Sequence, residues 1–207
     1  MPDLNKIYLY RMMHIENVPH ILTHGITHKT SPNSDPAFTP IGDPVLITTR
    51  NGFVLDNRKK LGEYIPFYFG TRMPMLYVVQ NGLKGVPASS PEQIVYCVSS
   101  VAEILETDLD FVFTNGHAMA SESLQFYKKD IEQIEEILGM NAIKSKCWKK
   151  GLDKALKIRK EAEFLVLGDI PVSAILGFVV YNVNAKTILT GFGISEKAVY
   201  INSESYF

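Results

Sequence analysis

The chain has 207 residues, 46% of them hydrophobic and 21% charged, with 21 Lys and Arg against 22 Asp and Glu. That composition suits a globular domain able to bury its own core, and it excludes wholesale disorder and a polybasic, histone-like protein. No apolar run approaches the ~20 residues of a membrane span. Met1 to Lys6 lacks the basic-then-apolar layout of a secretion signal. Two cysteines, Cys97 and Cys147, are too few for a disulfide framework or a zinc site. One domain over 1–207, cytoplasmic and with reduced thiols, is expected.

Lys6 to Met12 is rich in strand formers and reads as an opening strand. His14 to His24 carries Ile15, Val18, Ile21 and Leu22 at helical spacing, with Pro19 near the start and Gly25 at the C-cap. From Thr30 to Pro44 five Pro and Gly residues predict an irregular loop. Met75 to Gln80, Ile94 to Val98 and Phe111 to Thr114 read as strands. Ser121 to Leu138 reads as a capped helix, with Leu124, Tyr127, Ile131, Ile134 and Leu138 as its apolar stripe. In Ala162 to Leu167 the alternation puts Glu163 and Leu165 on one strand face, Phe164 and Val166 on the other. Ala174 to Tyr181 is the last strong strand. This interspersion predicts an α+β fold. Neither a Walker loop nor a GxGxxG is present, so a nucleotide must be held another way.

Several residues are candidates for chemistry. Glu163 stands within a strand just after a run of eight cations from Lys144 to Lys160, opposed only by Asp153. A carboxylate there either faces water from an edge strand or sits paired inside a cleft, where it can hold sugar hydroxyls or take a proton. The basic run contains Trp148, so it is either a solvated face or a nucleic-acid track. Tyr64 to Tyr77 crowds aromatic residues around Gly70 and Arg72, which suits either core packing or base stacking with a phosphate contact. His20, His24 and His28 are spaced by four, but Gly25 interrupts the helix and no carboxylate completes a shell, so no metal is expected.

Taken in order, Tyr10-Arg-Met-Met-His-Ile-Glu-Asn17, Tyr64-Ile-Pro-Phe-Tyr-Phe69, Arg72 with Pro74-Met-Leu-Tyr77, Phe113-Thr-Asn-Gly-His117 and Ala162-Glu-Phe-Leu-Val166 resemble the DarT family. These are the toxins of DarT–DarG toxin–antitoxin systems, which ADP-ribosylate bases of single-stranded DNA. The resemblance spans roughly residues 6 to 180. It implies the ADP-ribosyltransferase fold, a split, mixed β-sheet with flanking helices and NAD in the cleft, and a macrodomain antitoxin as partner.

By that resemblance Glu163 is the catalytic glutamate, and Arg50 touches NAD phosphate and the reacting centre. Tyr68 stands beside the nicotinamide, while Arg11, His14 and Asn17 belong to the NAD-binding first motif. Arg72, His117, Trp148, Lys149, Lys150, Lys154 and Lys157 fall on the DNA-facing side. Met13 and Asn115 depart from the residues usual in their motifs. Arg11, where many members have His, resembles the members with an arginine in that motif, some of which modify guanine; guanine is therefore expected ahead of thymine. The implied chemistry breaks the nicotinamide–ribose bond, with Glu163 anchoring a ribose hydroxyl, stabilising the positive charge and taking the acceptor's proton. The alternatives are a transferase acting on RNA or protein, an NAD glycohydrolase, and a non-catalytic single-strand-binding module.

Overall fold

A computed structural model describes residues 2–145 and 154–207, with the Lys154 side chain outside the description. Trp148, Lys149 and Lys150 therefore lie outside the described residues. The strands are β1 (Tyr8–His14), β2 (Tyr64–Tyr68), β3 (Ile94–Ser100), β4 (Phe111–Thr114), β5 (Gln125–Phe126), β6 (Glu163–Leu167), β7 (Gly177–Val180) and β8 (Val199–Ile201). They form one sheet in the order β5-β4-β6-β2-β1-β3-β7-β8, antiparallel throughout except for the parallel β7–β8 pair. The sheet is mixed and flanked by helices, as expected.

Its two halves barely touch. β1 registers with β3 over seven residue pairs and β2 with β6 over five, but β1 meets β2 at the single pair Tyr10↔Tyr68. On one side of that seam lie β5, β4, β6 and β2; on the other lie β1, β3, β7 and β8. Pro66 shows why the strands part. Its register partner is Leu165 on β6, while its carbonyl accepts from Arg11 Nη1 of β1 at 3.0 Å. A strand residue aims its N–H and C=O to the same side, so the N–H that proline lacks belongs to the seam, where no ladder needs it.

The helices are α1 (Val18–His24), α2 (Pro44–Gly52), α3 (Pro74–Gln80), α4 (Val101–Leu105), α5 (Ile134–Leu138), α6 (Met140–Lys144), α7 (Lys154–Lys160) and α8 (Val183–Gly191). Three segments differ from the reading of the sequence. The segment from His14 begins as the end of β1 and a 3-10 turn, and becomes helix only at Val18, with Pro19 in the first turn and Gly25 (φ +76°) at the C-cap. Met75 to Gln80 is not a strand but helix α3, because Pro74 preorganises its first turn and Leu76 and Val79, three apart, share its buried face.

Ser121 to Leu138 is helical only at its end. Gln125–Phe126 instead pairs with β4, stacking Phe126 on Phe113, and a 3-10 stretch over Lys128–Gln133 follows. Leu124, expected to be buried, is 60% exposed. Ile94–Ser100, Phe111–Thr114 and Glu163–Leu167 are strands as read, and the last strong strand shortens to Gly177–Val180. The Glu163–Leu167 alternation also holds. Phe164 and Val166 enter the main core, while Leu165 packs with Leu55, Leu61, Tyr64 and Val112 on the other face.

Candidate active site

β6 lies between β4 and β2, so Glu163 is on an interior strand and has no exposure at all. An ionised carboxylate there must be paired. The partner is Arg50 near the end of α2, whose Nη1 and Nη2 donate to Oε1 and Oε2 at 3.0 and 2.6 Å. The helix is started by Asp43, whose carboxylate accepts from the N–H groups of Val45 and Leu46, and by Pro44. It buries none of its residues, so packing alone does not set its position. Gly62 lets it come close: a Cβ there would lie 2.6 Å from Asn51 Cα.

The loop after β4 closes the other side of the carboxylate. Ala118 N–H donates to Glu163 Oε1 at 3.0 Å, and His117 Nε2 stands 4.0 Å from the same oxygen. Thr114 Oγ1 accepts from Glu163 N–H and donates to the Gly116 carbonyl, tying the loop to the start of β6. Burial by itself raises the Glu163 carboxyl, but the adjacent Arg50 guanidinium more than offsets this and holds it below the ordinary range. Arg50 is opposed by burial in the same way and is pushed up by the carboxylate. His117 is pushed down by burial, with Glu163 pulling the other way.

Tyr68 is the register partner of Glu163, so the two side chains leave the sheet on the same face. Burial first, and the charge of Glu163 second, raise its hydroxyl and keep it neutral. Arg11 is one residue beyond the seam pair, and burial lowers its guanidinium to about 10, still cationic at neutral pH.

A cleft of about 330 Å³ opens beside this cluster, within the ~300–1,000 Å³ range of small-molecule sites. Arg11, Asn17, Arg50 and Pro66 line it, with Phe38 and His28 from the loop between α1 and α2. Asn17 fixes that loop by donating to the Thr39 carbonyl at 2.9 Å and accepting from Thr39 N–H at 2.8 Å. Asp169 fixes its other end by accepting from His28 N–H and Ser31 Oγ. The His28 ring nitrogens lie against Thr30 Oγ1 and the Gly62 carbonyl. Phe38 and Asp169 did not stand out in the sequence, and His28 did so only as a metal ligand to be set aside. An aromatic residue in a proline-rich loop was the available signal for Phe38; for Asp169 there was none.

The structure thus brings Arg11, Asn17, Arg50, Tyr68, His117 and Glu163 to the seam and its cleft. His14 is not among the lining residues; its ring accepts from Glu16 N–H and caps the turn after β1. Arg72 is further off. Its Nη1 donates to the Tyr206 carbonyl at 2.6 Å and its guanidinium lies over the Phe207 ring, beside a second cavity of about 220 Å³. Lys157 is exposed on α7, near enough for its charge to lower His117.

The family model described as "ssDNA thymidine ADP-ribosyltransferase, DarT" matches residues 10–207. A DNA ADP-ribosyl transferase of Thermus sp. (strain 2.9) is 32% identical over 180 residues, covering 84% of this chain and 81% of that one. Structures of Thermus sp. 2.9 DarT are similar over the whole chain at 27% identity. The complex with ADP-ribosylated ssDNA has a TM-score of 0.81 over 98% of that protein, and the complex with NAD+ 0.77 over 99%. A DNA ADP-ribosyl transferase–DNA ADP-ribosyl glycohydrolase fusion protein of Thermosipho africanus is 31% identical over 134 residues, covering 64% of this chain and 32% of the fusion. A split mixed sheet, a buried glutamate gripped by an arginine at its seam and a family match over nearly the whole length lead to one conclusion: the chain belongs to the DarT family of single-stranded DNA ADP-ribosyltransferases.

Proposed function

We propose that the chain, acting as one domain over 1–207, moves the ADP-ribosyl group of NAD+ onto a base of single-stranded DNA. The observation that carries this reading is the buried Arg50–Glu163 pair at the edge of a cleft that also holds Arg11. Departure of nicotinamide leaves positive charge on the ribose. A carboxylate kept ionised by its neighbours, at a site that excludes water, stabilises that charge strongly. Glu163 anchors a ribose hydroxyl and faces the developing cation, and Arg50 orients it and reaches the reacting centre. Arg11 takes the pyrophosphate without any glycine-rich loop. Tyr68, neutral and opposite Glu163, stacks beside the nicotinamide. The acceptor base must leave its stack to enter, which is cheapest in a single strand.

Guanine is proposed as the acceptor ahead of thymine, on Arg11 in the first motif; the thymidine in the family description makes thymine the second reading. A toxin acting on chromosomal DNA belongs in the cytoplasm. Among the described residues no helix is long and apolar enough to cross a membrane. A macrodomain-type partner that removes the modification is proposed from the glycohydrolase half of the Thermosipho fusion.

Mass spectrometry of short oligonucleotides, each lacking one of the four bases, after exposure to protein and NAD+ tests the reading. Mass gain of one ADP-ribosyl group confined to guanine-containing strands is expected. Gain on thymine alone replaces the base, and gain on none removes the reading. Glu163→Gln should lose at least three orders of magnitude in rate, about 4 kcal/mol of barrier.

A further inference from the structure

The seam has two ends. The cleft that holds Arg11 and Arg50 opens at one of them, with Tyr64, Ile65 and Pro66 as its β2 wall. Past the Tyr10↔Tyr68 pair, at the other end, lies the second cavity, walled by Tyr8 and Tyr10 of β1 and by the turn that follows β2. At about 220 Å³ it falls below the ~300 Å³ at which small-molecule sites begin, so it suits part of a longer ligand better than a whole small one.

Its walls are cationic. Lys6, Arg72, Lys144 and Lys160 line it, against the exposed carboxylate of Glu204. Lys6 is already paired with Asp3 at 3.0 Å. Lys160 is the unusual member: it is 6% exposed, and its Nζ donates to the carbonyls of Ile143 and Ser145 with no carboxylate partner among the described residues. A buried ammonium without a counter-charge is costly, and it has a third N–H to give. Burial first, and the charge of Arg72 second, lower it, so two like charges face one another across the cavity. An anion between them relieves both. Tyr8, 44% exposed, adds an aromatic face to the same cavity. Cations beside an exposed ring are the elements of a single-strand site.

The register ties this cavity to the reacting centre. Tyr10 and Glu163 are both partners of Tyr68, which puts them two strands apart, about 10 Å across the sheet. A stacked strand advances by about 3.4 Å per nucleotide, so one whose acceptor base lies at Glu163 reaches the cavity within about three nucleotides. Resting on the transferase reading above, we propose that the cavity is a subsite for the acceptor strand. Lys160 and Arg72 hold a phosphodiester a few nucleotides from the modified base, and Tyr8 stacks on the base that this phosphate carries. NAD+ and DNA then occupy opposite ends of one seam. A strand held by its own backbone beside Glu163 presents the acceptor at a lower entropic cost.

The test measures oligonucleotide affinity by fluorescence anisotropy, with a neutral methylphosphonate linkage placed singly at each position around the acceptor base. One linkage near that base should weaken binding to the unaltered protein on the order of 10-fold, the worth of a charge-assisted hydrogen bond. Lys160→Met should bind the ordinary strand more weakly by the same factor and be indifferent to that linkage. Its NAD+-dependent thermal shift should keep its original size. Tyr8→Ala, an exposed change that spares the core, should weaken binding about 5-fold or more, and Tyr8→Phe should restore it. Neutral linkages that weaken the unaltered protein and Lys160→Met alike, or unchanged binding by Tyr8→Ala, overturn the assignment and leave the transferase reading in place. Stabilisation by inorganic phosphate with no linkage effect also overturns it, and gives the cavity to a free anion. Absence of labelling by the unaltered protein, with binding intact, removes the transferase reading instead.

Discussion

Arg50 and Glu163 meet through two parallel hydrogen bonds of 3.0 and 2.6 Å, although 113 residues separate them along the chain. The guanidinium comes from a helix with no fully buried residue, and the carboxylate from an interior strand with no exposure. A fork-to-fork pair of this kind is both strong and directional. It fixes the exposed helix over the cleft and keeps the glutamate ionised.

The pair makes stability depend on Glu163 as well as activity. From the sequence, Glu163→Ala is expected to lose transfer and keep its fold. The buried geometry adds a cost of about 3 kcal/mol, because Arg50 is left inside without its counter-charge. Removing both charges, as in Arg50→Met with Glu163→Met, should cost less than Glu163→Ala alone. Urea unfolding of the two variants beside the unaltered protein measures this. The pH dependence follows the same pair: the folded carboxyl lies below its unfolded value of 4.5. The stabilisation is therefore full above that value and lost as pH falls through the folded pKa. Glu163→Gln should flatten the acid arm of the stability curve.

Lys160 gives a second window, on the alkaline side. Its Nζ donates to the carbonyls of Ile143 and Ser145 at 2.8 and 2.6 Å, and burial, helped by Arg72, lowers it from 10.5 to about 8. Between those values the unfolded chain holds a proton that the folded chain has released, so stability rises with pH across the window. Lys160→Met should remove that rise in urea titrations made at its two ends.

Asn17 acts on the cleft through the loop it holds. Asn17→Ala removes both bonds to Thr39 and leaves that backbone N–H and carbonyl unsatisfied, a cost of about 1–3 kcal/mol. The loop between α1 and α2 should exchange its amides faster, and the KM for NAD+ should rise with kcat changed less. Hydrogen exchange and NAD+ titration report the two effects separately.

The basic run before β6 predicts a salt effect. Neutralising Lys149, Lys150 and Lys157 should weaken binding to an oligonucleotide. The slope of log affinity against log salt should shrink by about 2, at roughly 0.7 for each single-strand phosphate no longer neutralised. An unchanged slope in fluorescence anisotropy returns this run to a solvated face.

Local chemistry in the sequence was enough for β1, β3, β4 and β6, for the α+β class and for Glu163 as the suspicious residue. A carboxylate beside Phe164, Leu165 and Val166 is anomalous whatever surrounds it, and the ordered motifs from Tyr10 to Val166 carried the family. Segments whose partners are distant were harder. Met75 to Gln80 has a strand-like composition, but Pro74 and the spacing of Leu76 and Val79 made it a helix. The apolar stripe from Leu124 to Leu138 fits a helix until β4 offers Phe126 a strand partner. Whether Glu163 faced water or a cleft depended on β6 having a neighbour on each side, and no local pattern encodes that. Residue types and their order set which chemistry was available. Only the tertiary structure decided that a seam at Tyr10↔Tyr68 leaves room for a ligand, and that Arg50 crosses 113 residues to close on Glu163, because sheet order and loop closure are properties of the whole packed chain.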